Sequence, residues 1–294
     1  MNFELLLNQV IWGILVGVSY SLLAIGFSVI YSTSDAVNFA QGEYAMLGAY
    51  FCFTFMNSFN FMFLLAAAAS LVCIFVFGRV IERIVFRRLY KLDPLFIVIC
   101  TIGLSTMLKN LVLIFWGPES QTLPFEIEIE PFTLLGATMH PKNLILLAIG
   151  ILVMVVFHVF MTRTKMGMSM RAVAQNKGVA SLMGINVTKS INLTWGLGAL
   201  IAGVGGILIG LAYDISIEMG GLVSMKGFAA AIIGGFGNVI GAMFGGVILG
   251  VVESIGGFVV SSYYKDVITF AIIILILLIK PSGLLIRKNT IRRV

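Results

Sequence analysis

VIWGILVGVSYSLLAIGFSVIY, residues 10–31, contains no Asp, Glu, Lys or Arg. At about 1.5 Å per residue, a helix of this stretch crosses the ~30 Å hydrocarbon core of a bilayer. No Lys or Arg precedes it and no small-residue cleavage site follows, so it reads as a retained span and not a signal peptide.

Outward from this run, similar apolar stretches recur at roughly 41–57, 60–78, 94–116, 142–161, 190–213, 224–236, 238–253 and 264–280. The 294 residues are 60% apolar and 11% charged, with a mean hydropathy of +1.07. Soluble domains average about 25% charged residues, and 11% is too little to cover a water-facing surface. The fold expected is all-α: a single transmembrane domain over 1–294 with about 8–10 spans, some broken or re-entrant.

The net charge of +6 does not signify nucleic-acid binding, because most of the 19 bases fall in short clusters between apolar runs. These are Arg79, Arg83, Arg87, Arg88 and Lys91; Arg163, Lys165, Arg171, Lys177 and Lys189; and Lys280, Arg287, Lys288, Arg292 and Arg293. The positive-inside rule assigns all three to the cytoplasm. The loop after Trp116, with Glu119, Glu126, Glu128 and Glu130, is then external. Parity requires the stretch 224–253 to turn back on itself, and Gly234-Gly235-Phe236-Gly237-Asn238 offers the turn. The same counting puts the N-terminus outside.

Gly13/Gly17, Gly206/Gly210, Gly241/Gly245 and Gly246/Gly250 are GxxxG pairs, whose small residues permit close helix packing. Cys52, Cys73 and Cys100 lie in apolar runs and form no CxxC, and His140 and His158 are too few for a His-rich metal cluster. No cofactor or metal site is expected. GxxxxGK[ST] and HExxH are absent, so nucleotide hydrolysis by the chain itself is not expected.

Polar residues interrupt the apolar runs at Asp35-Ala-Val-Asn38-Phe-Ala-Gln41-Gly42-Glu43. Transporters place broken helices of this kind beside a substrate path, with half-helix ends facing the ligand; a solvated loop near the cytoplasmic edge is the other reading. A Gly-rich helix, a polar break and a Gly-rich helix describe residues 13–57, and the same words describe 196–250, where the break is 214–226. This loose two-half repeat places a site at the repeat interface. Asn38, Gln41, Gly42, Glu43, Asn110 and Lys226 are the candidate path residues; Lys109 and Glu253 also carry polar groups in or beside apolar runs. Residues 169–177 form a short amphipathic helix, closed off near Gly184, suited to docking on another protein or lying on the membrane surface.

Val37-Asn-Phe-Ala-Gln-Gly-Glu43 with Leu47-Gly-Ala-Tyr50, Ile81-Glu-Arg-Ile-Val-Phe-Arg87, Ser181-Leu-Met-Gly-Ile-Asn186 and Met225-Lys-Gly-Phe-Ala-Ala-Ala-Ile-Ile-Gly-Gly-Phe-Gly237 resemble, in order, the permeases of branched-chain amino-acid ABC transporters. The match is nearest to their H-type subunit. The resemblance implies an inner-membrane importer of leucine, isoleucine and valine. It further implies a second related permease as heterodimer partner, two cytoplasmic ATPases and a periplasmic binding protein. The region of Arg171, Ala172, Asn176, Gly184 and Asn186 would be the ATPase coupling loop. Gln41, Arg88 and Lys109 depart from the family's usual His, Pro and Gln. The rival readings are import of urea or short amides by the same family, and an ion-coupled secondary transporter.

Overall fold

The computed structural model describes residues 3–90, 92–125, 130, 132–134, 137–259, 264–280 and 283–284. Each of the nine apolar runs is seated in a helix, the conformation in which a lipid-embedded backbone satisfies its own polar groups. In chain order the helices are α1 (Phe3–Ser34), α2 (Gln41–Asn57), α3 (Phe63–Ile81), α4 (Arg87–Leu89), α5 (Pro94–Trp116), α6 (Pro141–Arg163), α7 (Lys165–Gln175), α8 (Lys177–Leu182), α9 (Val187–Ala212), α10 (Met219–Gly234), α11 (Val239–Val259) and α12 (Lys265–Ile279). A π-helical turn, Glu82–Phe86, joins α3 to α4. Among the described residues six helices are long and apolar enough to cross a membrane. The chain is a multi-pass membrane protein. Helices α2, α10 and α12 are shorter, at 17, 16 and 15 residues.

Burial sorts the long helices. The most apolar windows of α1 and α9 are 94% and 83% buried, whereas those of α3, α5 and α6 are 28% buried. Helices α1 and α9 therefore form the core, and α3, α5 and α6 leave most of their apolar surface outward. The GxxxG pairs explain the tight centre. Gly13 and Gly17 of α1 lie against the backbone of α11 at Gly246 and Gly250, so two pairs interlock. Gly206 of α9 meets the Ala45 carbonyl of α2, and Gly241 and Gly245 of α11 meet Gly234 and Ala230 of α10.

The described residues of the three basic clusters gather at one end of the bundle, while Lys109, Lys142, Lys226 and Lys265 lie away from it. At the basic end Arg79 Nε donates to Asn192 Oδ1 at 2.8 Å, and Asn192 Nδ2 donates to the Glu82 carboxylate. The Glu82 side chain is fully buried and pairs with Arg87 at 2.9 Å, and Phe86 stacks on Trp195 at 4.3 Å. Thus the Ile81–Arg87 motif locks the end of α3 to α9. Lys177 pairs with Asp35 at 2.7 Å, and the Leu284 N–H reaches the Ile233 carbonyl at 2.7 Å, bringing the ends of α1, α10 and α12 to this same side. Lys91 and the bases after Lys280 lie outside the described residues.

At the opposite end Trp12 donates to the Tyr213 hydroxyl, and Gln121 and Ile215 exchange backbone hydrogen bonds. Two three-residue strands between α5 and α6, β1 (Phe132–Leu134) and β2 (Ala137–Met139), form an antiparallel hairpin that the helical reading did not anticipate. Glu126 and Glu128 lie outside the described residues. The turn expected at 234–238 is present: α10 runs into α11 through Gly235 and Gly237, whose φ of 96° and 84° suit glycine.

Candidate functional site

Helix α1 stops at Ser34 and helix α9 at Ala212, each followed by a non-helical break, 35–40 and 213–218, of equal length. Neither break leads to a new helix at the bundle surface. The Gln41 amide, at the start of α2, donates to the Gly198 carbonyl of α9 at 2.8 Å and lies against Gly26 of α1. Gly26 is roughly 12 Å along the axis from the end of α1, at about 1.5 Å per residue. Hence α2 begins inside the bundle. It then runs to the end opposite the bases, where Trp116 donates to Thr54 Oγ1 at 2.8 Å.

Helix α10 begins at the same depth and runs the other way. A methyl group on Gly42 would collide with the Gly220 carbonyl and with Ser224. From that contact α10 descends to the basic end, where Phe236 packs edge-on against Tyr31 at 4.6 Å. Two half-helices thus meet at their N-termini and diverge, one toward each end. Neither N-terminus has a side-chain cap. Helix N-termini carry partial positive charge and outward-pointing amides, and these two lie side by side at Gly42, Gly220 and Ser224.

The break 35–40 is ordered by its own polar groups. Asn38 Oδ1 accepts from the Ala40 N–H at 3.1 Å, and Asn38 Nδ2 donates to Gln41 Oε1 at 3.3 Å. The Phe39 N–H donates to Thr101 of α5, and the Phe39 carbonyl accepts from Ser224 of α10. Asn38, Gln41 and Glu43 are 1%, 0% and 3% exposed. A solvated loop would leave these groups to water, so that reading fails for 36–43; only Asp35 lies at the edge.

Glu43 is the focus of the junction. Its carboxylate sits beside Gly220, and its Oε2 has no hydrogen-bond partner. Ser105 and Lys109 of α5 face it. Lys109 forms a two-pronged ion pair with Glu218, at 2.6 and 2.7 Å, immediately before α10. This pair borders a cavity of about 370 Å³ that also touches Asn110, Leu113, Ser120 and Ser216.

The structure therefore brings Asn38, Gln41, Gly42 and Glu43 together, with Asn110 in the neighbouring cavity. Lys226 is elsewhere. Residues two apart on a helix project about 200° apart, so Ser224 faces the junction and Lys226 faces away. Lys226 pairs with Glu253 of α11 at 2.7 Å and Asp266 of α12 at 2.9 Å, and Lys265 joins Glu253 at 3.0 Å. Thr101, Ser105, Ser224 and Glu218 were not singled out from sequence. Glu218 falls inside the sequence-predicted break 214–226, which did not mark it out from its neighbours.

The second candidate region lies at the basic end. Helix α7 buries Met170 and Val173 and leaves Arg171 exposed, with its guanidinium donating to the Thr162 carbonyl. Asn176 and Asn186 accept the Val179 and Lys189 amides, capping α8 and α9. Gly184, at φ 80°, ends α8. Ala172 is half-buried. Leu182 and Met183, part of the Ser181–Asn186 motif but not among the candidate site residues, are 88% and 77% exposed.

A family model described as the permease component of the branched-chain amino acid transport system matches residues 10–277. The chain is 35% identical to the high-affinity branched-chain amino acid transport system permease protein BraD of Pseudomonas aeruginosa, over 96% of both chains. It is 34% identical to the permease protein LivH of Escherichia coli over 98% of both. An archaeal relative, the probable LivH of Methanocaldococcus jannaschii, is 30% identical over 90% of this chain and 87% of that one. With its matched residues spanning both half-helices and the junction between them, the chain belongs to the permease family of branched-chain amino acid ABC transporters.

Proposed function

We propose that this permease carries leucine, isoleucine and valine across the bacterial inner membrane, along a path through the junction of α2 and α10. The observation that carries the reading is the meeting of two uncapped half-helix N-termini around a buried, partly unpartnered Glu43. Such ends suit the carboxylate of an amino acid, and a buried carboxylate suits its ammonium group. Charged groups on both sides of the junction favour a zwitterion over neutral urea or a short amide.

A second, related permease completes the membrane unit in this reading. Two ATPases dock at the basic end, on the surface carrying Arg171, Leu182 and Met183. Asn176, Gly184 and Asn186 hold that surface in shape as caps and a stop, and Ala172 packs beneath it. A binding protein delivers substrate at the opposite end. The positive-inside rule supports this orientation.

The test is uptake by the reconstituted complex of both permeases and ATPases, supplied with loaded binding protein. ATP-dependent accumulation of all three amino acids is expected. Accumulation of urea or amides in their place, or accumulation driven by an ion gradient without ATP, would replace the reading with one of its rivals.

A further inference from the structure

Lys109 of α5 and Glu218 before α10 form an exposed ion pair beside the junction. Their side chains are 41% and 72% exposed in the isolated chain, and they border the cavity of about 370 Å³. Small-molecule pockets run from roughly 300 to 1,000 Å³. Lys109 lies about 10 Å short of the end of α5 at Trp116, at about 1.5 Å per residue. Charges at that depth are costly against lipid and persist facing water or protein. Glu218 is the N-cap residue of α10, yet its carboxylate does not cap the helix; it is turned outward onto Lys109.

We infer that the Lys109–Glu218 pair is an exchange station for the zwitterion on the outer side of the junction, in which the substrate carboxylate takes Lys109 and the substrate ammonium takes Glu218. This deepens the proposed function and rests on it. An ion pair and a zwitterion each hold one cation and one anion, so the two swap partners without leaving a charge unmatched. Unmatched charges in a dry site are what make passage slow. From this station the next group inward is Glu43, itself buried and with one oxygen free. The ammonium then passes from one carboxylate to another, and the carboxylate moves toward the uncapped amides of α2 and α10. The direction of the pair matters: the acid belongs on α10 and the base on α5, where its charge also acts on Glu43.

The test uses the reconstituted complex with loaded binding protein, and reads maximal leucine uptake and the thermal midpoint of the complex. Lys109→Met and Glu218→Gln are each expected to lower maximal uptake by at least about tenfold, because each leaves one charge of the substrate without its partner at the station. The exchanged double variant, Lys109→Glu with Glu218→Lys, rebuilds the tie between α5 and α10. It is expected to return the midpoint to the wild-type value while uptake stays low. Full uptake in either single variant, or recovery of uptake together with the midpoint in the double variant, would make the pair a structural tether and overturn the inference. A wild-type complex that takes up none of the three amino acids would remove the proposed function, and the station with it. With an active wild type, failure of the variants to behave as expected removes the station alone.

Discussion

Gly42 on α2 and Gly220 on α10 touch backbone to backbone, with no room for a side chain on Gly42. That contact sets the distance between the two half-helix N-termini. Gly42→Ala is expected to force them apart, costing about 1–3 kcal/mol as overpacking does, and to abolish uptake. Gly221, with open space at its Cβ position, is the control. Gly221→Ala should leave both stability and uptake near wild type. Thermal midpoints of the purified complex, read beside uptake, check the pair.

Asn38 organises the break through Ala40 and Gln41. Asn38→Leu leaves the Ala40 N–H without its acceptor, at a cost of about 1–3 kcal/mol. Maximal uptake of leucine, isoleucine and valine should fall together, with their ranking unchanged. Competition assays among the three, at matched permease levels, read the outcome. A changed ranking would show that this segment selects among substrates.

Lys226 holds α10 to α11 and α12 through Glu253 and Asp266. Glu253 is buried, with its side chain 1% exposed. Lys226→Met should destabilise the complex by about 1–3 kcal/mol, less than for an orphaned buried charge, because Lys265 still pairs with Glu253. The apparent affinity for substrate-loaded binding protein should not change. A selective loss of that affinity, with stability intact, would place Lys226 on the path instead.

Arg171, Leu182 and Met183 should act at the ATPase contact. Leu182→Ser and Met183→Ser remove exposed apolar groups, so the fold should tolerate them. Each is expected to weaken co-purification of the ATPase several-fold, and Arg171→Glu to do so more strongly by reversing a charge. Unaltered ATPase association and uptake in all three would make α7 and α8 a membrane-surface element.

Sidedness is checked with single cysteines in a background lacking Cys52, Cys73 and Cys100. A membrane-impermeant thiol reagent applied from outside should label Glu119→Cys and leave Lys177→Cys untouched. The reverse pattern would invert the bundle.

The legible parts of this fold share a cause. A run such as 10–31 must be a helix because lipid offers its backbone no other partner, and GxxxG pairs announce close packing through their spacing. Glycine at 235 and 237 likewise announced the turn between α10 and α11. Depth and direction were harder to read. The 35–43 stretch has the composition of a loop, and its immersion depends on Thr101 and Ser224, which are distant in sequence. Lys226 looked like a path residue because it lies in an apolar run, but its helical phase, set by Glu253 and Asp266, turns it away. Glu218 carries no local motif; its place is evident only once α10 is known to begin beside Gly42.

The pairing of Lys177 with Asp35 has a mechanical side. Lys177 opens α8, on the face proposed for the motor subunits, and Asp35 is the first residue of the break whose last residue abuts α2. In the proposed assembly, the link between motor and cargo through this ion pair is six residues of chain, 35–40. In that assembly, a shift of α8 would act through Lys177 and Asp35 on the segment that leads to Gly42. Such a link works in both directions: whatever occupies the junction alters its tension, and linkage makes the effect on the motor equal to the motor's effect on the cargo.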